Sequence, residues 1–236
     1  MTLRQAISTA EGKQRYARRL FATIADRYDF ITGFLSYGQD RRWKRRLIRL
    51  ANLQPADRVL DLACGTGDIV FAAAPVVARA VGLDVTHRML QLARARGVRL
   101  QAGLVTGDML ALPFPDRSFT VITIGYGLRN VPDLPQSLRE IRRVLAPEGR
   151  VLSLDFNRPA NPIVRGAYLS YLTVVGSALG FVLHRDPNTY RYIPESIRNY
   201  PGAAGVALLM KQSGFADVRV IRVLGGLMTI HVAVAR

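Results

Sequence analysis

The chain has 236 residues, of which 49% are hydrophobic and 21% charged, a balance that fits one large globular domain and excludes wholesale disorder. Its only cysteine, Cys64, excludes an intrachain disulfide and a multi-cysteine zinc site, so no metal centre is expected. The 33 Lys and Arg residues against 17 Asp and Glu give a net charge of +16, which favours polyanionic partners such as nucleic acid or anionic lipid.

The N-terminal region is strongly basic. Twelve Lys and Arg residues against four acids give residues 1–50 a charge of +8, half of the total. Residues 15–28 place apolar side chains at helical spacing, at Ala17, Leu20, Phe21, Ile24 and Tyr28. A second basic helix is expected over residues 40–52, and we treat 1–54 as basic N-terminal helices. The N-terminus lacks the apolar run of a secretory signal, so we expect a cytoplasmic protein.

Strand and helix signals then alternate. Strands are predicted at 58–64, 80–85, within 98–106, at 119–124 and at 150–156. Helices are predicted at 68–77, from an N-cap at Thr86 to Arg96, and along Leu134, Leu138, Ile141 and Leu145, before the break at 147–149. Two closely spaced strands, 217–223 and 228–235, are expected to pair antiparallel. The pattern predicts an α/β fold with a mainly parallel sheet and helices on both faces.

Residues 157–215 interrupt this alternation and are interpreted as a helical lid or substrate insertion. Within them, residues 166–183 form an uncharged run of eighteen. A membrane-spanning helix needs about 20 mainly apolar residues, and this run contains several polar ones and three glycines. Three interpretations stay open: a buried or lid helix lining an apolar pocket, an interfacial helix, or a membrane span.

The strongest motif is the strand and glycine turn from Val59 to Asp68. It resembles a dinucleotide fingerprint, but Val70 stands where the third glycine would be. Asp61 and Asp68 flank the turn and would repel a pyrophosphate. They suit a cationic ligand such as S-adenosylmethionine, whose ammonium would pair with a carboxylate.

Two further acids follow the next strands at the expected positions. Asp84 ends the second strand, where an acid accepts hydrogen bonds from ribose hydroxyls. Asp108 follows the third strand and is expected to accept from the adenine amino group, with Met109 against the ring. The predicted cofactor residues are Asp61, Gly65, Thr66, Gly67, Asp84, Asp108, Met109 and Gly125.

With these residues in place, the chain resembles the class I methyltransferases, and more narrowly the ubiquinone/menaquinone biosynthesis C-methyltransferase family. The resemblance runs from about residue 20 to the C-terminus and rests on residues 28–29, 35–38, 43–45, 112–119, 127–131, 143–150 and 190–197. The chain departs from the family pattern at Thr32, Asp40, Thr120, Glu148 and Asp155. At position 148 the family usually has glycine, and at 155 it commonly has glutamate.

The resemblance implies a Rossmann-like, seven-stranded fold, with S-adenosylmethionine as methyl donor and a polyprenylated hydroquinone as substrate. It implies carbon methylation, with demethylmenaquinol to menaquinol as the leading reaction. Arg129 is expected to stabilise the phenolate, directly or through a water, and Asn130 to fix the geometry. The predicted substrate residues are Tyr28, Tyr126, Tyr190 and Tyr192, and Tyr200 is a further candidate for the same pocket.

A long isoprenoid tail places such a substrate in the bilayer. The basic runs at 15–19 and 41–49 are therefore expected to contact an anionic membrane surface, and no nucleic-acid partner is expected. A homo-oligomer is left open. The alternatives are a phospholipid N-methyltransferase, an RNA methyltransferase, or a catalytically inactive membrane-binding subunit with the same fold.

Overall fold

A seven-stranded sheet forms the centre of the computed structural model, which describes residues 3–97 and 101–236. The strands are β1 Arg58–Leu62, β2 Arg79–Asp84, β3 Ala102–Thr106, β4 Phe119–Gly125, β5 Leu145–Phe156, β6 Phe215–Val223 and β7 Met228–Ala235. Their order is β3-β2-β1-β4-β5-β7-β6, with β7 antiparallel to both β5 and β6 and the other pairs parallel. The predicted α/β fold and the antiparallel final pair are confirmed. Residues 98–100 of the predicted third strand lie outside the described residues.

Ten α-helices surround the sheet in the described ranges. They are α1 Leu3–Ala6, α2 Ala10–Ile24, α3 Tyr28–Leu35, α4 Asp40–Ala51, α5 Asp68–Ala73, α6 His87–Arg96, α7 Leu134–Val144, α8 Pro162–His184, α9 Asn188–Arg198 and α10 Gly202–Gln212. Along β1, an interior strand, Val59 packs with the core on the α4 face of the sheet and Leu60 with the core on the α7 and α10 face. Both are fully buried, as expected for a strand covered on both faces.

The two predicted basic helices correspond to α2 and α4, but the first predicted helix is interrupted before residue 28. The predicted stripe is buried at Ala17, Leu20 and Ile24, but α2 ends at Ile24 and a short 3-10 turn separates it from α3. That turn lets Tyr28 begin a new helix that runs beside the substrate insertion.

Two helices are shorter than the sequence predicts. The helix after the glycine turn ends at Ala73 instead of residue 77. The helix that was expected to include Leu145 ends at Val144, and Leu145 begins β5 in an extended conformation, fully buried. Leu145 thus belongs to the core, as its apolar spacing indicated, but through a strand. Within β5, in the irregular stretch between Leu145 and Arg150, Glu148 has a φ of +59°, a left-handed conformation that favours glycine.

The insertion is helical, and its uncharged run lies within α8. By length and composition, α8 is the one helix among the described residues that could cross a membrane, although only 22% of its most apolar window is buried. Its buried side includes Leu169, Leu172 and Gly180. A side chain at position 180 would meet the Asp186 carbonyl oxygen. The interpretation of α8 as a buried helix is therefore wrong for most of its surface, whereas its role in lining a pocket is confirmed below.

Candidate active site

Two adjoining cavities lie at the carboxyl ends of the parallel strands. The first, here called the cofactor cavity, is lined by the predicted residues Gly65, Asp84, Asp108, Met109 and Gly125, and also by Gln14 and Arg18 of α2. Three predicted residues do not line it: Asp61 and Thr66 line a small cavity beneath the glycine turn, and Gly67 lines neither. The cofactor cavity and this small cavity share Gly65 and Gly125. The predicted cofactor residues therefore come together around the glycine turn.

The glycine turn has the backbone conformation that only glycine adopts readily. Gly65 has a φ of +55° and Gly67 a φ of +92°. A side chain at Gly67 would also meet the Phe71 ring at 2.2 Å. Gly67 therefore precedes α5 as its N-cap residue and shapes the turn, while the Thr66 hydroxyl donates to Asp29 Oδ1 of α3 at 2.7 Å.

Asp61 is a buried carboxyl group with one oxygen unpaired. Its Oδ1 accepts from the Thr123 hydroxyl at 2.8 Å, whereas its Oδ2 has no partner among the described residues. Burial raises the pKa of Asp61 to about 7, and the hydrogen bond from Thr123 and the Lys44 charge only partly offset it. A buried, unpaired acid beside a glycine turn fits a cationic ligand such as the ammonium of S-adenosylmethionine.

Asp84 is held by the backbone around it. Its carboxylate accepts from the Gly65 N–H at 2.9 Å and from the Thr86 N–H at 2.7 Å. These bonds fix the carboxylate next to the turn, and each oxygen keeps a lone pair for a ribose hydroxyl. Thr86 precedes α6 as predicted, but its side chain makes no capping hydrogen bond.

Asp108 is engaged by α2 in this structure. Its Oδ2 accepts from Gln14 Nε2 at 2.5 Å and from Arg18 Nη2 at 3.0 Å. The cofactor cavity has a volume of about 90 Å³, below the roughly 300–1,000 Å³ typical of ligand sites. Gln14 and Arg18 therefore occupy the place at which an adenine amino group is expected.

The second cavity, here called the substrate cavity, is larger and mainly apolar, with a volume of about 420 Å³. All four predicted substrate tyrosines line it, and so do Arg129 and the α8 residues Tyr168, Tyr171 and Leu172. Phe21, Tyr28 and Tyr126 line both cavities and form the wall between them. A methyl group passing from one ligand to the other would cross at this wall.

Arg129 is the charged group of the substrate cavity. Only 4% of the residue is exposed, and its guanidinium forms an ion pair with Asp155 and donates to Ser196 Oγ at 2.8 Å. The guanidinium also lies 4.7 Å from the centre of the Phe156 ring. Although burial opposes its charge, Asp155 raises the pKa of Arg129, so it stays protonated. Nη2 donates to no group in ranges 3–97 and 101–236, which leaves it available to a ligand.

Asn130 lines the cofactor cavity, whereas Arg129 lines the substrate cavity. Its amide donates to the Tyr126 carbonyl oxygen at 2.8 Å, and its buried Oδ1 has no partner among the described residues. Arg129 and Asn130 are adjacent in sequence but face different cavities. The two predicted catalytic residues thus lie where the cavities meet.

Three of the four substrate tyrosines, Tyr126, Tyr190 and Tyr192, differ in the partners of their hydroxyl groups. Tyr126 has a φ of +61° and donates to Asp40 Oδ1 at 2.7 Å, while the buried hydroxyl of Tyr192 is unpaired among the described residues. Tyr190 pairs with His184 at 2.8 Å. Tyr200 does not line the substrate cavity but packs in the main core, so its assignment to the pocket is wrong.

Sequence reasoning missed several residues that hold the site. Asp155 was marked only as a departure from the family pattern, and Ser196 carried no signal of its contact with Arg129. Gln14 was unmarked as well. Lys13 was also missed, although it is one of only three lysines in an arginine-rich chain. Within the described ranges, no three His, Cys, Asp or Glu side chains come together to form a metal site.

The strand order with an antiparallel final hairpin, the glycine turn and the acids that follow β1 to β3 together define a class I methyltransferase dependent on S-adenosylmethionine. The chain belongs to the ubiE/COQ5 methyltransferase family, whose model matches residues 9–235.

Its relatives agree with this membership. The chain is 37% identical to the ubiquinone/menaquinone biosynthesis C-methyltransferase UbiE of Ectopseudomonas mendocina, covering 93% of this chain and 88% of that one. It is 31% identical to a demethylmenaquinone methyltransferase of Staphylococcus aureus, covering 94% and 93%. A SAM-dependent methyltransferase of Thermotoga maritima superimposes with a TM-score of 0.66 at 17% identity, covering 92% of this chain and 99% of that one. That likeness supports the fold alone.

Proposed function

We propose that this enzyme methylates a ring carbon of a polyprenylated hydroquinone, with conversion of demethylmenaquinol to menaquinol as the leading reaction. The observation that carries the proposal is the buried, permanently charged Arg129 in the wall of an apolar cavity that adjoins the cofactor cavity. The relatives named for ubiquinone/menaquinone biosynthesis and for demethylmenaquinone methylation support it.

An aromatic carbon becomes a good nucleophile when a neighbouring hydroxyl loses its proton. When bound, S-adenosylmethionine would supply a methyl group on a positively charged sulfur. Asp61, Asp84, Asp108 and the glycine turn would hold the cofactor. Arg129 Nη2 stabilises the phenolate oxygen, directly or through a water, because its charge lies in a low-dielectric wall. Asp155 and Ser196 fix the guanidinium, so it needs little reorganisation when the oxygen ionises. The ring carbon would form a bond to the methyl group as the methyl–sulfur bond breaks, leaving S-adenosylhomocysteine. The hydroxyl proton and then the proton of the methylated ring carbon pass to water, and aromaticity returns.

The same proposal places the enzyme at an anionic membrane surface on the cytoplasmic side. The side chains of Arg15, Arg18 and Arg19 on α2 and of Arg41, Arg42, Arg45 and Arg49 on α4 are exposed. Exposed apolar side chains lie on neighbouring elements, at Phe30, Phe34 and Tyr37 and on α8. Each basic residue near anionic lipid contributes about 1 kcal/mol, so these runs support binding to the surface.

The test of the reaction is transfer of a labelled methyl group from S-adenosylmethionine in detergent or liposomes. Demethylmenaquinol, a demethylubiquinol precursor, phosphatidylethanolamine and bulk RNA are compared as acceptors, with Arg129→Ala alongside. We expect label on a quinol ring and its loss in the variant. Label only on lipid or RNA would refute the proposed acceptor, and no transfer to any acceptor would indicate an inactive subunit.

Membrane binding is tested separately by co-sedimentation with vesicles. We expect binding to vesicles containing anionic lipid at low salt, release at high salt, and weak binding to neutral vesicles. Charge reversal at Arg41 and Arg45 should weaken binding without changing S-adenosylmethionine affinity. Equal binding to anionic and neutral vesicles would contradict the electrostatic part of the proposal.

A further inference from the structure

Lys13 connects α2 to the segment that carries Arg129 and Asn130. Its Nζ donates to the Val131 carbonyl oxygen at 2.7 Å, and Val131 lies two residues after Arg129. The side chain is partly buried, and its neighbour Gln14 lines the cofactor cavity. Among the described residues, the ammonium of Lys13 therefore bonds to a neutral carbonyl oxygen rather than to a carboxylate, and Val131, which supplies that oxygen, lines the cofactor cavity.

The charges around Lys13 do not balance. Arg129 and Asp155 are 4% and 1% exposed and form one ion pair, which leaves the ammonium of Lys13 as an excess positive charge. Burial lowers the pKa of Lys13 to about 8; the Arg129 charge lowers it further, while Asp155 acts in the opposite direction. A buried site with an excess positive charge is stabilised by an anionic ligand.

Other groups on the elements packed around α2 do not supply that anion. On α9, Tyr192 is neutral at pH 7, as any tyrosine is, and burial raises its pKa further to about 12; Glu195 is ion-paired with Arg198. On α6, Arg88 pairs with Asp26, which precedes α3. Asp108 is engaged by Gln14 and Arg18.

We propose that Lys13 is an electrostatic positioning residue whose charge, added to that of the Arg129–Asp155 pair, is balanced by the phenolate of the bound substrate. This inference rests on the proposed function, since it assumes a phenolic acceptor in the substrate cavity. Lys13 acts on the ionisation of the ring hydroxyl through space. With the substrate ionised, the charges of Lys13, Arg129, Asp155 and the phenolate sum to zero.

The experiment measures the ionisation of a bound phenol without turnover. The probe is 4-nitro-1-naphthol, whose phenolate absorbs visible light, titrated with pH on the enzyme with S-adenosylhomocysteine present. We expect wild-type protein to lower the pKa of the bound probe, and Lys13→Met to raise it by about one unit relative to wild type. Lys13→Arg keeps the charge and should resemble wild type. The matched control is Lys211→Met, at an exposed lysine on α10.

The outcomes separate the two proposals. A bound-probe pKa that is lowered equally by wild type and Lys13→Met overturns the role of Lys13 and leaves the phenolate site intact. A probe whose pKa is not lowered by wild-type protein, or that does not bind, overturns both.

A second measurement does not depend on the folding of Lys13→Met. In wild type, kcat/KM should fall as pH rises through about 8, where Lys13 loses its proton, whereas Lys13→Arg should lack that decline. Persistence of the decline in Lys13→Arg would overturn the proposal.

Discussion

Arg129 donates to Asp155 twice, from its guanidinium and from its backbone N–H, which lies 3.0 Å from Asp155 Oδ2. One carboxylate at the end of β5 therefore fixes both the backbone and the side chain of the residue that faces the substrate cavity. Phe156, which follows Asp155, packs under the guanidinium. The position of the charge is thus set by the sheet and does not depend on a flexible loop.

Replacing Asp155 with Asn should destabilise the protein and nearly abolish methyl transfer. The change leaves the Arg129 charge buried without its partner, which typically costs about 3–5 kcal/mol in the free energy of unfolding. Urea denaturation measures that cost. Asp155→Glu, the residue common in the family, should retain most activity.

The control for this change is Asp217→Asn, which removes an exposed ion pair with Arg236. It should alter the free energy of unfolding by less than about 1 kcal/mol. Similar losses in Asp155→Asn and Asp217→Asn would show that the buried pair has no special role.

Affinity for S-adenosylmethionine should rise with pH below neutrality. Burial raises the pKa of Asp61 to about 7, so the carboxyl group is mostly neutral at pH 5.5 and half ionised at pH 7. The cationic ligand pairs with the ionised form, so the Kd should decrease about tenfold over that interval. Calorimetry in buffers of different ionisation enthalpy should detect proton release at pH 6. Asp61→Asn should bind weakly at both pH values, and an unchanged pH dependence in that variant would contradict the assignment.

Removing the Gln14 side chain should strengthen S-adenosylmethionine binding. Gln14 donates to Asp108, the acceptor expected for adenine, and must withdraw when the ligand enters. A hydrogen bond to a charged group contributes about 1.5–3 kcal/mol, so Gln14→Ala should lower the Kd by about tenfold or more. Gln91→Ala, at an exposed position on α6, is the matched control. Weaker binding in Gln14→Ala would show that Gln14 contacts the ligand itself.

Glu148→Gly should stabilise the protein. Glu148 has a φ of +59°, where a side chain costs roughly 1–2 kcal/mol and glycine costs nothing. The added freedom of glycine in the unfolded chain offsets part of that gain, which leaves about 0.5–1 kcal/mol. Glu148→Ala removes the same charge but keeps a Cβ, so it should bring no comparable increase in the free energy of unfolding. An equal gain from both variants would attribute the effect to charge.

The sequence predicted the fold well because its signals are local. Alternating apolar strand segments and helical patterns indicate the order of the elements, and the turn at Gly65 and Gly67 is recognisable from residue type alone. Where prediction failed, tertiary contacts decided the structure. Leu145 has an apolar spacing that fits α7 and β5 equally, and pairing with Phe119 places it in the strand.

The site was predicted less completely, because tertiary contacts between distant parts of the chain hold several of its side chains. The acids at strand ends could be placed, since parallel strands end at one edge of the sheet. The partners of Arg129 come from β5 and α9, which lie 26 and 67 residues away along the chain. Tyr200 follows the same aromatic block as Tyr190 and Tyr192, but α9 ends before it and directs it into the core.

The size of the substrate cavity bears on which quinols the enzyme accepts. About 420 Å³ holds an aromatic ring and the beginning of its isoprenoid chain, but a tail of many isoprene units exceeds that volume. The distal units of such a tail therefore extend beyond the protein, where they make no contact that distinguishes a short chain from a long one. Selection among acceptors then depends on the ring head, and homologues of one quinol that differ only in the number of isoprene units should be methylated with similar efficiency.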